Sequence, residues 1–321
     1  MSESTRYACA VDIGGTKIAT AVLRMDAGER PAIVTRSETE TRADRGGEEV
    51  YSTVEAAVRD AIASAPEPVD AIGIGSAGVV DPDTGAIAYA NEIMPGWGGI
   101  QLAPRLRESL GLPVSAMGDV HAHALGEASW GAGRGFRSVL CLGIGTGIGG
   151  AYVEDGRVMR GAHGAAGHMG HIESIAAAGL PCACGKAGHI ESVASGTAIG
   201  RAFDERYGRV DPSRPSVGRD VNTLAAAGDE RALSVIADAG RALGATLGSL
   251  ANILDPSIIV LSGGVVFGRS GWRSEAWRAS IAEGYASQAL DPLLETPITV
   301  GRLGGDAPLI GAAQLAIDSL G

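Results

Sequence analysis

Two imidazoles and two thiols fall between positions 171 and 189: His171, Cys182, Cys184 and His189. A borderline-soft d¹⁰ ion such as zinc accepts that set as a closed tetrahedron. With all four positions filled by protein, the metal organises a loop and does no chemistry itself. His168 and Glu191 flank the ligands, so a metal there would position them for another task. Gly185 and Gly188 allow the tight turns between donors. The competing reading is a metal-free loop with two buried thiols, which donor type and spacing disfavour. Cys9 and Cys141 lie in apolar runs and read as small core residues, with no disulfide framework in view.

A second chemistry is written in glycine and threonine. Gly14-Gly15-Thr16-Lys17 follows an apolar run that ends in Asp12-Ile13, and Gly145-Thr146-Gly147 separates two further apolar runs. Small residues leave backbone N–H groups open to phosphate oxygens, and a Thr hydroxyl adds a donor. Asp12 can reach a magnesium ion directly or through water, and Lys17 adds positive charge. One such unit reads equally well as a plain hairpin turn. Two of them, with Gly263-Gly264 after a third strand-like run, favour a nucleoside triphosphate such as ATP with Mg²⁺.

Two other glycine patterns mislead. Gly73, Gly75, Gly78 and Gly145, Gly147, Gly150 both fit G-x-G-x-x-G, but neither opens a helix, as a dinucleotide site requires. The phosphate loop G-x-x-x-x-G-K-[ST] is absent.

The elements that must hold these residues are legible. Tyr7–Ile13 and Ile18–Leu23 read as strands joined by the first turn; Val139–Ile144 and Ile148–Val153 repeat the pattern around the second. The repetition suggests duplicated halves. Apolar residues at helical spacing predict helices over Glu48–Ala65, Leu102–Leu110 and Asp229–Leu254, the last being the longest. Ala71–Gly75, Val114–Met117 and Ile258–Leu261 read as further strands, and Asp211–Asp220 as a flexible loop.

Composition narrows the partners. The chain has 321 residues, enough for about two domains. A net charge of −11 argues against nucleic acid. Neither a signal pattern nor an apolar run of spanning length is present, which gives the expectation of a cytoplasmic protein without membrane contact.

Asp12-Ile13-Gly14-Gly15-Thr16-Lys17, Gly145-Thr146-Gly147-Ile148-Gly149-Gly150 and the Cys-x-Cys-Gly loop, in this order, resemble the ROK family of sugar kinases and repressors. The resemblance runs from about residue 7 to the C-terminal helix. It implies an α/β, actin-like, hexokinase-type fold, duplicated and ribonuclease H-like, with an interdomain cleft. The expected division is a small domain of 1–118 plus about 305–321 and a large domain of 119–304 with the structural Zn²⁺ loop. It further implies a homodimer or homotetramer that takes a small-molecule sugar. Asp119 matches the family's catalytic Asp, and His171 the residue that both ligates zinc and touches sugar. Glu191 matches a sugar-binding Glu, and Gly263-Gly264 the nucleotide-side glycines. Gly78, preceded by Ala77 where the family has Pro, belongs to the sugar loop.

The departures bear on substrate. Gly118 stands where the family has Asn, His168 where it has Glu, and His189 where it has Cys. Gly in place of Asn removes a donor and an acceptor; His in place of Glu removes a charge. A site that loses hydrogen bonds matched to a hydroxyl discriminates less for it. The expectation is therefore an ATP-dependent kinase acting on the 6-position hydroxyl of a modified hexose, N-acetylmannosamine-like, or a cyclitol. A glucokinase is the alternative. A DNA-binding regulator is not expected, given the acidic charge and the eleven residues before Asp12. A catalytically silent sugar binder is disfavoured by the intact Asp119 and phosphate turns.

Overall fold

The computed structural model describes residues 5–92, 94–267 and 274–321. Its contacts divide the chain into two compact units. The first comprises residues 1–135, 156–167 and 305–321; the second comprises 136–155 and 168–304.

In the first unit, β1 (Arg6–Ile13), β2 (Lys17–Met25) and β3 (Ala32–Glu40) form an antiparallel meander. β4 (Ala71–Ser76) and β7 (Val114–Gly118) then add in parallel, giving the order β3-β2-β1-β4-β7. A small hairpin of β5 (Val79–Val80) and β6 (Ile87–Tyr89) follows β4. Parallel neighbours need crossovers, which α1 (Gly47–Ala63) and α2 (Leu102–Leu110) supply. Val50, Val54 and Val58 of α1 are buried on one face, against a core that includes Val11, Ile18, Ile72 and Leu106. Helix α3 (Asp119–Trp130) starts directly from β7.

The first unit continues past the 118/119 boundary expected from the sequence, and the reason is helix packing. In α10 (Ala307–Asp318), Gly311 lies so close to α3 that a Cβ would sit 1.8 Å from the Ala122 carbonyl oxygen. Reciprocally, a Cβ on Gly126 would sit 2.2 Å from the Ala307 carbonyl oxygen. Side chains at these two positions would push the helices apart. The segment bearing β10 (Arg157–Val158) also joins this unit: the Arg160 guanidinium donates to the Ala116 carbonyl oxygen at 2.6 Å.

The second unit repeats the scheme. β8 (Ser138–Ile144) and β9 (Ile148–Glu154) are antiparallel, and β11 (Ile258–Ser262) and β12 (Ile298–Val300) add in parallel, in the order β9-β8-β11-β12. These four strands repeat the order and directions of β2-β1-β4-β7, the expected duplication. The short helix α4 (Glu191–Ala194) leads into α5 (Gly196–Tyr207) and α6 (Gly218–Ala226). The longest helix, α7 (Glu230–Leu254), is capped by the Asp229 carboxylate, which accepts from the Arg231 and Ala232 amides. A left-handed Asp255 followed by Pro256 ends it. α7 packs on α9 (Glu275–Ala286), while α8 (Gly264–Phe267) follows β11 directly.

The stretch 211–220 is more ordered than its composition suggests. Arg214 forms a two-pronged ion pair with Asp220, the Ser216 amide donates to Asp204, and α6 already begins at Gly218.

Candidate active site and metal centre

Strand register brings the first group together. Asp12 pairs with Gly75 and Ser76 with Gly118, so the carboxyl ends of β1, β4 and β7 lie level. That edge of an open α/β sheet is where ligands bind. Gly75 permits it: a Cβ there would lie 2.9 Å from Ala122 Cβ and 3.5 Å from Asp119 Cα. Asp119 therefore sits against the end of β4, in the first turn of α3, its carboxylate accepting the Val120 amide at 2.8 Å. A helix N-terminus favours a negative charge at that spot.

Asp12 and Asp119 feel each other. Burial first, then the Asp119 carboxylate, push Asp12 from its ordinary value of 3.8 up to about 6. Lys17 and Arg36 pull it back down, and Glu38 raises it slightly. Two carboxylates that resist joint ionisation form a site suited to a divalent cation. The residues present thus fit magnesium, which Asp12 would hold.

The turn after β1 is pinned from a distance. The Gly14 amide donates to the Lys17 carbonyl at 2.9 Å. The buried Thr41 hydroxyl donates to the Gly14 carbonyl at 2.6 Å, and the Thr41 amide to the Thr16 carbonyl at 3.1 Å. Gly15 and Thr16 stand at the tip. Lys17 is not a solitary cation, since its Nζ lies 3.0 Å from Glu38. Arg36 bridges Glu38 and Asp306 beside it. Thr41, Arg36 and Glu38 escape a sequence reading because their partners are remote in the chain. Gly78 has a left-handed φ of 93° and backs onto the Tyr89 carbonyl, a turn that only glycine fits easily.

In the second unit the metal donors converge. The ligating atoms of His171, Cys182, Cys184 and His189 all lie within 4.8 Å of one another. Cys182 Sγ is 3.5 Å from His171 Nδ1, and Cys184 Sγ is 3.3 Å from His189 Nδ1. Ligands bonded to zinc at about 2.0–2.3 Å in a tetrahedron have edges of about 3.5 Å. The donor set fits Zn²⁺. Burial raises the Cys182 thiol and lowers His171, which keeps the imidazole neutral and able to ligate. His168 is exposed, its ring stacked 6.1 Å from that of His171.

The Gly145-Thr146-Gly147 turn is held on both sides. The Gly196 amide, at the start of α5, donates to the Gly145 carbonyl at 2.8 Å, and the Thr197 hydroxyl to the Thr146 carbonyl at 2.9 Å. From the other side Glu191 accepts the Ile148 amide at 2.9 Å. Gly263, with φ 95°, crosses the end of β8 so closely that a Cβ would meet the Ile144 backbone at 2.4 Å. Gly264 starts α8 next to it.

Asp12, Gly14, Gly15, Thr16, Lys17, Gly78, Gly118 and Asp119 thus belong to the first unit. Gly145, Thr146, Gly147, His168, His171, Cys182, Cys184, His189, Glu191, Gly263 and Gly264 belong to the second. No helix among the described residues is long and apolar enough to cross a membrane.

Known proteins resemble this chain in sequence and fold. The sequence profile of the ROK family matches residues 8–319. A glucokinase from Halalkalibacterium halodurans is 34% identical over 97% of this chain and 95% of its own length. An N-acetylmannosamine kinase from Citrobacter koseri is 30% identical over 96% of this chain and 97% of its own. A ROK family glucokinase from Streptomyces griseus, solved with glucose and AMPPNP, superposes with a TM-score of 0.78 at 31% identity, covering 97% of this chain and 99% of the other.

Proposed function

The chain belongs to the ROK family, and from that premise we propose that it is an ATP-dependent kinase phosphorylating the primary, 6-position hydroxyl of a hexose, glucose foremost. The observation that carries the reading is the pair Asp12 and Asp119 at the carboxyl edge of one sheet, where burial first and the Asp119 charge second raise Asp12.

The acceptor hydroxyl oxygen attacks the γ-phosphorus, the bond from that phosphorus to the β,γ-bridging oxygen breaks, and ADP leaves. Asp119 takes the hydroxyl proton. An ordinary carboxylate is a weak base toward an alcohol. It suffices when the proton moves late, in a loose transition state where positioning and charge stabilisation dominate. Magnesium, when bound, neutralises charge on the phosphates; Asp12 would hold it. The Gly14-Gly15-Thr16 and Gly145-Thr146-Gly147 turns would cradle phosphate oxygens, with Gly263 and Gly264 on the nucleotide side. Zinc, held by His171, Cys182, Cys184 and His189, would fix the loop from which His168 and Glu191 meet the sugar. Gly78 would line the sugar loop.

Support for glucose over a modified sugar comes from the relatives: the named glucokinases reach 34% identity, against 30% for the N-acetylmannosamine kinase. The sequence-led preference for a modified hexose or cyclitol therefore becomes the second reading. It keeps one specific argument, the missing side chain at Gly118 and the imidazole of His168. A coupled ADP-release assay over hexoses, aminosugars and cyclitols tests both. Glucose should give the highest kcat/KM; a clear preference for an N-acylated sugar or cyclitol would overturn the first reading, and no turnover with any of them would overturn the kinase.

A further inference from the structure

We propose that Glu191 is a positioning residue that locks the Gly145-Thr146-Gly147 turn to the metal-holding loop, so that an intact loop sets the grip on nucleotide phosphates. The inference rests on the kinase reading above, and adds to the sugar contact that the family resemblance implies for this carboxylate.

Glu191 opens α4 two residues after the ligand His189. Its Oε2 accepts the amide of Ile148, the first residue of β9, at 2.9 Å. Its Oε1 lies 3.8 Å from the sulfur of the ligand Cys182. A zinc-bound thiolate has no proton to share, so the carboxylate is tied to the metal-holding loop by the chain, two residues from His189, and to the phosphate turn by the Ile148 amide. The approach is close: a Cβ on Gly147 would lie 2.4 Å from Oε2, so a larger residue there would push the carboxylate aside. On the opposite flank the Gly196 amide and the Thr197 hydroxyl hold the carbonyls of Gly145 and Thr146. The turn is clamped between α5 and Glu191, with Thr146 exposed at its tip. Losing one jaw frees the backbone between Gly145 and Ile148, and a turn that must be reordered on binding gives up affinity.

A carboxylate that only touched sugar would leave nucleotide affinity alone. The test measures binding of AMP-PNP and of adenosine by calorimetry to zinc-loaded wild type, Glu191→Ala and Glu191→Gln, with metal content checked in each. Loss of a charge-assisted hydrogen bond should weaken AMP-PNP about tenfold or more in Glu191→Ala, leaving adenosine within about twofold. In Glu191→Gln the amide oxygen can still accept from Ile148, so AMP-PNP affinity should return to within about threefold of wild type. AMP-PNP affinity in Glu191→Ala within about twofold of wild type overturns the positioning role and leaves the kinase standing. Wild type that binds no AMP-PNP overturns both. If Glu191→Ala does not fold, hydrogen exchange at the Ile148 amide of wild type, before and after chelation, reads the same link. Faster exchange on chelation supports it; unchanged exchange overturns it.

Discussion

His121 is packed against Gly118: its Nδ1 lies 3.3 Å from where a Cβ at position 118 would be. Its Nε2 is 2.7 Å from the Ala166 carbonyl oxygen. A carbonyl only accepts, so Nε2 carries a proton. The space beside Asp119 that an Asn at 118 would enter is already furnished with an imidazole.

Gly118→Asn should therefore displace that ring and weaken its bond to Ala166, at a cost of about 1 kcal/mol. In a His121→Ala background the same change should cost less, giving a coupling above about 0.5 kcal/mol in denaturation experiments. Costs that simply add would show that the two residues do not compete for the space.

Asp119→Asn should keep the fold and nucleotide binding but lower turnover by roughly 10²–10⁴. Turnover within a factor of about two of wild type would remove Asp119 from the role of base.

Asp12 makes a pH prediction for magnesium-free protein. Its folded-state value of about 6 is raised above 3.8, so the folded chain holds its proton longer than the unfolded chain. Stability then falls as pH rises from about 4 to about 6, and stays lower above that. Asp12→Asn should be more stable than wild type at pH 7.5 by about 1–3 kcal/mol, and equal to it below about pH 4. Activity should be lost at the same time, because the cation loses its carboxylate. Denaturant titrations at both pH values check the sign; equal stability at pH 7.5 would contradict it.

One zinc per chain is expected, bound by His171, Cys182, Cys184 and His189. Elemental analysis of protein never exposed to chelator reads this directly. Cys184→Ser should lower metal content and, through it, thermal stability. Protein that carries no stoichiometric metal would exclude the assignment.

Much of this was legible in the sequence, because periodicity and capping are local. Leu102–Leu110 forms a helix with those bounds, and Asp229 caps the longest helix, as an acid before an apolar-periodic run should. The metal donors were visible because they crowd one stretch of chain. What stayed hidden depends on distant partners. Thr41 holds the Gly14 turn across 27 positions, and Glu191 reaches Ile148 across 43. The extent of the first unit was hidden too, since Gly126 and Gly311 look like ordinary helix-weakening residues until their backbones are seen to meet.

That meeting of α3 with α10 has a consequence for biosynthesis. The helix that begins at Asp119 leaves the ribosome long before its partner at Ala307 exists. At ordinary translation speeds the interval is roughly 10–40 seconds. All segments of the second unit precede Gly305, so the unit that starts later is complete earlier. The nascent chain must keep the α10-facing side of α3 uncovered throughout that wait, which makes it a natural place for a chaperone to act.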